Sequence, residues 1–397
     1  MRKVIHYSFM FYPVISGVHN RIRTIVDNMP DYRFEILTDA LSGYPRTERL
    51  SGNTTIRRMP PNNWAFQYRP PFGMPQRLAL YLGGALDTLR YSKKRKYLSS
   101  ARFDLLHVYN LDIANIMAFN SLFGTKRFNV IADMMMDFSY LEQPVIFEDV
   151  GGFSLPEQLV SEEMARVIER EKVAFDNFIC VAKQGYDSMV EFARKKGLRK
   201  NIWFIPDYVD TDRFSFVPPL EGKKLKVGFV ARLARVGDDI EFLFEFTRRL
   251  PSFIELHMAV GASEDTLRRH RDRFNHPNIK MHINLPYEKL PDIYHGMDVL
   301  LNPKIYEGSG RNRIEAMSCG RPVIEFRVGD PYPITDGETG FIIEKDVDGL
   351  IELLGRLNDD RRLLARVGRD ARSIVENELS HRVIIPRIRK IYNTLCG

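Results

Sequence analysis

From end to end the chain alternates short apolar runs with longer stretches whose apolar residues recur at helical spacing. In the first half, Val4-Ile5-His6-Tyr7, Phe34-Glu-Ile-Leu37, Leu105-Leu-His-Val108, Asn129-Val-Ile131 and Asn177-Phe-Ile-Cys-Val181 predict strands. In the second half, Leu225-Lys-Val-Gly-Phe-Val230, Ile254-Glu-Leu-His-Met-Ala-Val260, Asp298-Val-Leu-Leu301 and Pro322-Val-Ile-Glu-Phe326 do the same. Strands that alternate with helical patterns predict an α/β fold: parallel sheets with helices on both faces, one doubly wound unit per half. The periodicity lapses over residues 215–224, which hold Pro218-Pro219 and Gly222. The expected domains are therefore 1–215 and 216–379, with a last helix inside 380–397. Between Pro60 and Pro75 lie five prolines with Trp64, Phe66, Tyr68 and Phe72. That segment reads as a long ordered loop whose aromatic residues pack locally, or line an acceptor site.

A chain of 397 residues is too long for one ordinary core and suits two. With 44% hydrophobic and 27% charged residues, the composition is that of a folded globular protein. No apolar run is long enough to predict a transmembrane helix. Met1-Arg2-Lys3 leads directly into a strand, without the apolar core of a signal peptide. The three cysteines, Cys180, Cys319 and Cys396, are far apart and form no metal-ligand spacing, so a reducing, cytoplasmic setting is expected. The net charge of +7 admits nucleic acid, an anionic membrane or a phosphorylated substrate as partner. No nucleic-acid-binding motif accompanies it, which removes the first. The densest basic run, Arg90 to Lys96, reads as a solvated helix end, with peripheral contact to an anionic membrane as the alternative.

The candidate chemistry is concentrated in Tyr306-Glu307-Gly308-Ser309-Gly310-Arg311-Asn312-Arg313-Ile314-Glu315-Ala316-Met317. A buried strand ends before it at Pro303. After it, a short helix is predicted to close at Gly320, a residue suited to a left-handed position. Glycines at such a turn let backbone approach a ligand, and the helix N-terminus offers N–H groups to an anion. Glu315, in the first helical turn, could accept hydrogen bonds from a sugar diol; the helix dipole alone would also favour a carboxylate there. Together these features suggest a pocket for a sugar attached to phosphate. Other sites weigh less. Asp210-Thr-Asp212 spells a cation-binding pattern, but loop aspartates more often cap turns. His107, at the carboxyl end of a strand, reads more readily as a hydrogen-bonded core histidine than as a ligand contact. No dinucleotide fingerprint, Walker lysine or nucleophile elbow is present, so dehydrogenase, P-loop and serine-hydrolase chemistry are excluded.

The whole 306–324 string resembles the donor-site signature of glycosyltransferase family 4, retaining enzymes of the GT-B fold. Further stretches resemble the same family in the same order. Val227 to Leu233 resembles the strand ending in Gly-Arg-Leu, Ile205 to Phe214 the Ile-Pro-Asn-Gly-Val-Asp loop, and Asp336-Gly-Glu-Thr-Gly-Phe341 the Asp-Gly-x-Thr-Gly turn. Asn278 to Met281, Tyr287 to Pro291 and Tyr294 resemble the approach to the donor motif, and Pro13 to Val18 the Pro-x-x-Gly-Gly-Val tip.

The resemblance implies two Rossmann-like domains facing a cleft, with the last helix crossing back to the first domain. It implies transfer of a sugar, with retention, from a UDP- or GDP-linked donor to a hydroxyl acceptor (glycan, lipid or small molecule), with no metal and no cofactor. Arg232 and Glu307 take the catalytic roles. Ser16, Gly17, Arg232, Gly308, Ser309, Gly310, Asn312 and Glu315 bind the donor; Arg311 joins them by its place at the helix start rather than by the resemblance, and His107 and Asp133 are candidates for acceptor or sugar contact. The chain also departs from the family. It lacks the lysine after Arg-Leu, has no histidine in Ala132 to Asp137, and carries Arg311 where an aliphatic residue is usual. A non-catalytic nucleotide-sugar-binding or scaffold protein on the same fold is the alternative.

Overall fold

The computed structural model describes residues 1–8, 11–12, 17–59, 93–109, 142–149, 169, 172–219, 222–232, 240–262, 264–303, 310–327 and 331–397. The chain divides into two compact units, Met1–Pro206 with Ile385–Gly397, and Asp207–Ile384.

In the first unit the described strands are β1 (Lys3–Tyr7), β2 (Arg33–Asp39), β3 (Thr47–Arg49), β4 (Thr54–Met59), β5 (Leu105–Tyr109), β6 (Val145–Asp149), β7 (Asn177–Cys180) and β8 (Asn201–Phe204). They form one sheet in the order β3-β4-β2-β1-β5-β6-β7-β8. Neighbours run parallel except β3 and β4. The central strands β1, β5 and β7 are buried along most or all of their length, as expected where helices cover both faces.

Of the strands the sequence reading did not predict, β6 is the most deeply set in this sheet. β6 is buried although it ends in Glu148 and Asp149. The helix Gly17–Asp27 brings the buried Arg21 into an ion pair with Glu148, and Arg21 also donates 3.0 Å bonds to the carbonyls of Ile205 and Pro206. His107 Nε2 lies 3.0 Å from the other Glu148 oxygen, and its Nδ1 lies 2.7 Å from the Tyr392 hydroxyl. His6 Nδ1 meets the Tyr109 hydroxyl at 2.8 Å. Tyr392 belongs to the C-terminal part of the helix His381–Leu395, which is built into this unit. There Asn393 accepts from Tyr32, and Arg389 pairs with Asp31.

The second unit holds β9 (Leu225–Arg232), β10 (Ile254–Gly261), β11 (Ile279–Ile283), β12 (Val299–Asn302), β13 (Val323–Phe326) and β14 (Phe341–Ile343). These form a sheet in the order β11-β10-β9-β12-β13-β14, with all described pairings parallel. The unit starts before the Pro-Pro segment because residues 207–215 pack with it. Val209 bridges Ser380, and Phe214 sits in the core with Tyr294, Ile314 and Met317. The helix Arg311–Ser318 ends as the sequence predicts, with Gly320 at φ +76°. The helix Arg361–Ile374 then packs on that turn so closely that a Cβ on Gly368 would lie 2.3 Å from the Gly320 carbonyl oxygen. Among the described residues, no helix is long and apolar enough to cross a membrane.

Candidate functional site

In the second sheet, β10 leaves one side of β9 and β12 the other, so the strand order reverses there. Open α/β sheets bind ligands at that switch, beyond the carboxyl ends of the strands. β9 ends at Arg232 and β12 at Asn302, and the helix Arg311–Ser318 begins nearby. Polar side chains tie that helix start to the sheet edge. Asn312 Nδ2 donates to the Val230 carbonyl at 2.9 Å and to Asn302 Oδ1 at 3.1 Å. Asn302 donates to Glu325 at the end of β13, and Arg313 pairs with the same carboxylate at 3.2 Å. Gly310, the residue before the helix, has no side chain with which to cap it.

Glu315, further along the same helix, is buried and faces residues 287–295 rather than solvent. Its oxygens accept from the hydroxyls of Tyr287 at 3.0 Å and Tyr294 at 2.9 Å. Arg311 Nε stands 3.7 Å away, one helical turn back. Burial pushes the Glu315 carboxyl above the ordinary glutamate value, against the pull of Arg311 and the two hydroxyls. The same burial, with the nearby carboxylate, raises both tyrosines, so each keeps its proton and donates it. Burial works against the charge on Arg311, but Tyr287 and Glu315 beside it more than offset this, and the guanidinium stays ionised. The result is a carboxylate held in one orientation at the end of a sheet, beside a buried cation and a helix N-terminus. Such an arrangement can accept hydroxyls and stabilise an anion.

Across its full length the chain superposes on sucrose-phosphate synthase from Thermosynechococcus elongatus, with a TM-score of 0.75, 16% identity and 99% of that chain covered. HepE from Anabaena, solved in complex with UDP and glucose, matches over 100% of both chains with a TM-score of 0.70 and 14% identity. This is the GT-B fold. Residues 224–360, inside the second unit of this GT-B chain, match the family described as Glycosyl transferases group 1. Over 122 residues the chain is 34% identical to the capsular polysaccharide biosynthesis glycosyltransferase CapM of Staphylococcus aureus, covering 30% of this chain and 31% of that protein. It is 29% identical over 209 residues to a GDP-mannose-dependent monoacylated alpha-(1-6)-phosphatidylinositol monomannoside mannosyltransferase of Corynebacterium glutamicum, covering 47% and 55%. The chain thus spans about half or less of the length of the curated relatives it matches.

Within this GT-B chain the structure brings Gly310, Arg311, Asn312 and Glu315 together, and sets the backbone of Arg232 at the end of the neighbouring β9. Ser16, Asp133, Glu307, Gly308, Ser309, the 60–75 segment and the strand expected at 129–131 lie outside the described residues. Gly17 opens the first helix of the other unit. His107 is wholly buried in that unit between Tyr392 and Glu148, as a core histidine.

Asp210 Oδ1 accepts from the backbone N–H groups of Asp212 and Arg213, at 3.0 and 3.1 Å, which is the turn-capping role. Ligand atoms of Asp210, Asp212 and His381 lie within 4.8 Å of one another, but Asp212 is engaged by Arg382 at 2.6 Å. Lys94 corrects the reading of the basic run. It is buried and paired with Asp39, so among the described basic residues of the run only Lys93 and Lys96 are exposed. The sequence reading gave Tyr287 and Tyr294 no role. Their signal was the resemblance of their stretch to the approach to the donor motif, which assigns them no contact; the structure puts both hydroxyls on Glu315.

Proposed function

We propose that this chain is a glycosyltransferase that moves a hexose from a nucleotide-diphosphate sugar to a hydroxyl acceptor, with retention of configuration and without a metal. The observation that carries the reading is the buried Glu315, held by two tyrosine hydroxyls one turn into a helix that starts at the switch point of the second sheet. A fixed carboxylate there suits the paired hydroxyls of a nucleotide ribose. Backbone N–H groups at the helix start and Arg232 at the end of β9 would take the charge that grows on the leaving diphosphate. Arginine suits that task because its fork is always ionised. By the resemblance, Glu307 holds the sugar hydroxyls. Support for a nucleotide donor comes from relatives: HepE was solved with UDP and glucose, and the Corynebacterium enzyme is named as GDP-mannose-dependent.

The test is a donor panel that includes UDP-glucose and GDP-mannose, with release of free nucleotide as the readout, run with and without EDTA. Turnover of one donor, unchanged by chelator, is the expected result. Loss of activity with EDTA and recovery with Mn²⁺ or Mg²⁺ would remove the metal-free mechanism. Binding without any turnover would leave a nucleotide-sugar-binding protein on this fold.

A further inference from the structure

We propose that Arg311 is a phosphate-binding residue of this site, with Glu315 and Tyr287 as the residues that position it; the inference rests on the donor reading above. Arg311 is the first residue of its helix, and only 10% of its side chain is exposed. Among the described residues, its Nε and Nη1 have no hydrogen-bond partner. Its close carboxylate, Glu315, is 3.7 Å from Nε, too far for a hydrogen bond, and both Glu315 oxygens already accept from tyrosines. A buried guanidinium with two unmatched donors is costly unless an acceptor fills them.

The acceptor that suits this place is an anion with several oxygens. The helix N-terminus favours negative charge at the same end, and the planar fork of arginine matches two oxygens of one phosphate. The sequence supplies a reason for the residue. The family's usual lysine after Arg-Leu is absent here, and an arginine stands where the family has an aliphatic side chain. On this reading Arg311 supplies the positive charge that the absent lysine would have supplied. Glu315 fixes the guanidinium from one turn away, and Tyr287, bonded to Glu315, fixes the carboxylate.

The experiment measures binding of UDP, GDP, the two parent nucleosides and inorganic pyrophosphate by calorimetry, at two salt concentrations. The variants are Arg311→Leu, Arg311→Lys, Tyr287→Phe, Glu315→Gln and Arg311→Leu/Glu315→Gln, with Arg235→Ala as the rival cation. Arg311→Leu is expected to weaken the preferred nucleoside diphosphate and pyrophosphate about tenfold or more, with little change for the nucleoside. The salt dependence should shrink with it, and Arg311→Lys should recover part of the loss. Tyr287→Phe should give a smaller loss of the same kind. If Arg311→Leu does not fold because Glu315 is left unpaired, the double variant compared with Glu315→Gln carries the same test without the buried charge.

Equal losses for nucleoside and diphosphate would overturn the proposal, as would an effect of Arg235→Ala alone. Arg311-dependent pyrophosphate binding without nucleotide binding would support it while removing the donor reading. Indifference of the wild type to pyrophosphate and to both nucleotides would overturn both.

Discussion

Glu315 shows how a single side chain acquires a role from residues far from it in sequence. The sequence reads it into the first helical turn, where the dipole favours a carboxylate, but the helix begins at Arg311 and sets Glu315 one full turn in. Two hydroxyls and a guanidinium, contributed by Tyr287, Tyr294 and Arg311, turn it into a fixed acceptor. Glu315→Gln is therefore expected to weaken nucleotide binding by about 1–3 kcal/mol, the worth of a charge-assisted hydrogen bond. Tyr294→Phe should weaken it less, because Tyr287 still holds the other oxygen. Titration with free nucleotide measures both, and wild-type affinity in Glu315→Gln would remove that residue from the site. The glutamate and the arginine were legible in the sequence because they stand in one short string. The role of the tyrosines was not, because their contacts depend on how residues 287–295 pack against the helix Arg311–Ser318.

At the scale of the element, legibility follows burial pattern. The mainly apolar runs that form β1, β2, β5, β7, β9, β10, β12 and β13 announce themselves. β8 and β11 lie at the sheet edges, only partly buried, and their mixed composition hides them. β6 is hidden for a different reason: its acidic end is neutralised by Arg21, and no local pattern records that partner. The same cluster is expected to make the first unit sensitive to acid.

Burial holds both His6 and His107 below the ordinary histidine value; His107 lowers His6 further, while Glu148 partly relieves His107 and Arg21 opposes that relief. A group whose folded-state pKa is depressed contributes stability above its unfolded value and loses it as pH falls toward the folded one. The first unit should thus hold steady above about pH 7 and weaken progressively below about pH 6.5, before the carboxylates begin to protonate. Both tryptophans, Trp64 and Trp203, lie in the sequence of this unit, so their fluorescence in urea at several pH values is the measurement. His6→Asn should flatten the slope; an unchanged slope in that variant would assign the acid sensitivity elsewhere.

For the molecule as a whole, the alternation of strands and helices was enough to read two doubly wound units, and the family string was enough to read the GT-B fold. What it could not supply was the membership of residues 207–215, which follow the second core through Val209 and Phe214. The first unit has the less obvious construction, because its last helical turns come from the other end of the chain. Tyr392 bonds the buried His107, and Asn393 and Arg389 hold the segment around Asp31 and Tyr32. A chain cut after Ile384 should therefore lose the first unit's cooperative unfolding and its resistance to protease while the second unit keeps its own. Persistence of the fluorescence transition in the cut chain would refute this. During synthesis the order of events follows from the same construction. The second unit is one continuous stretch and can close as soon as it leaves the ribosome. The first, although made before it, must wait with His107 and its neighbours uncovered until Tyr392 and its helix arrive, so of the two units the one begun earlier is the one completed later.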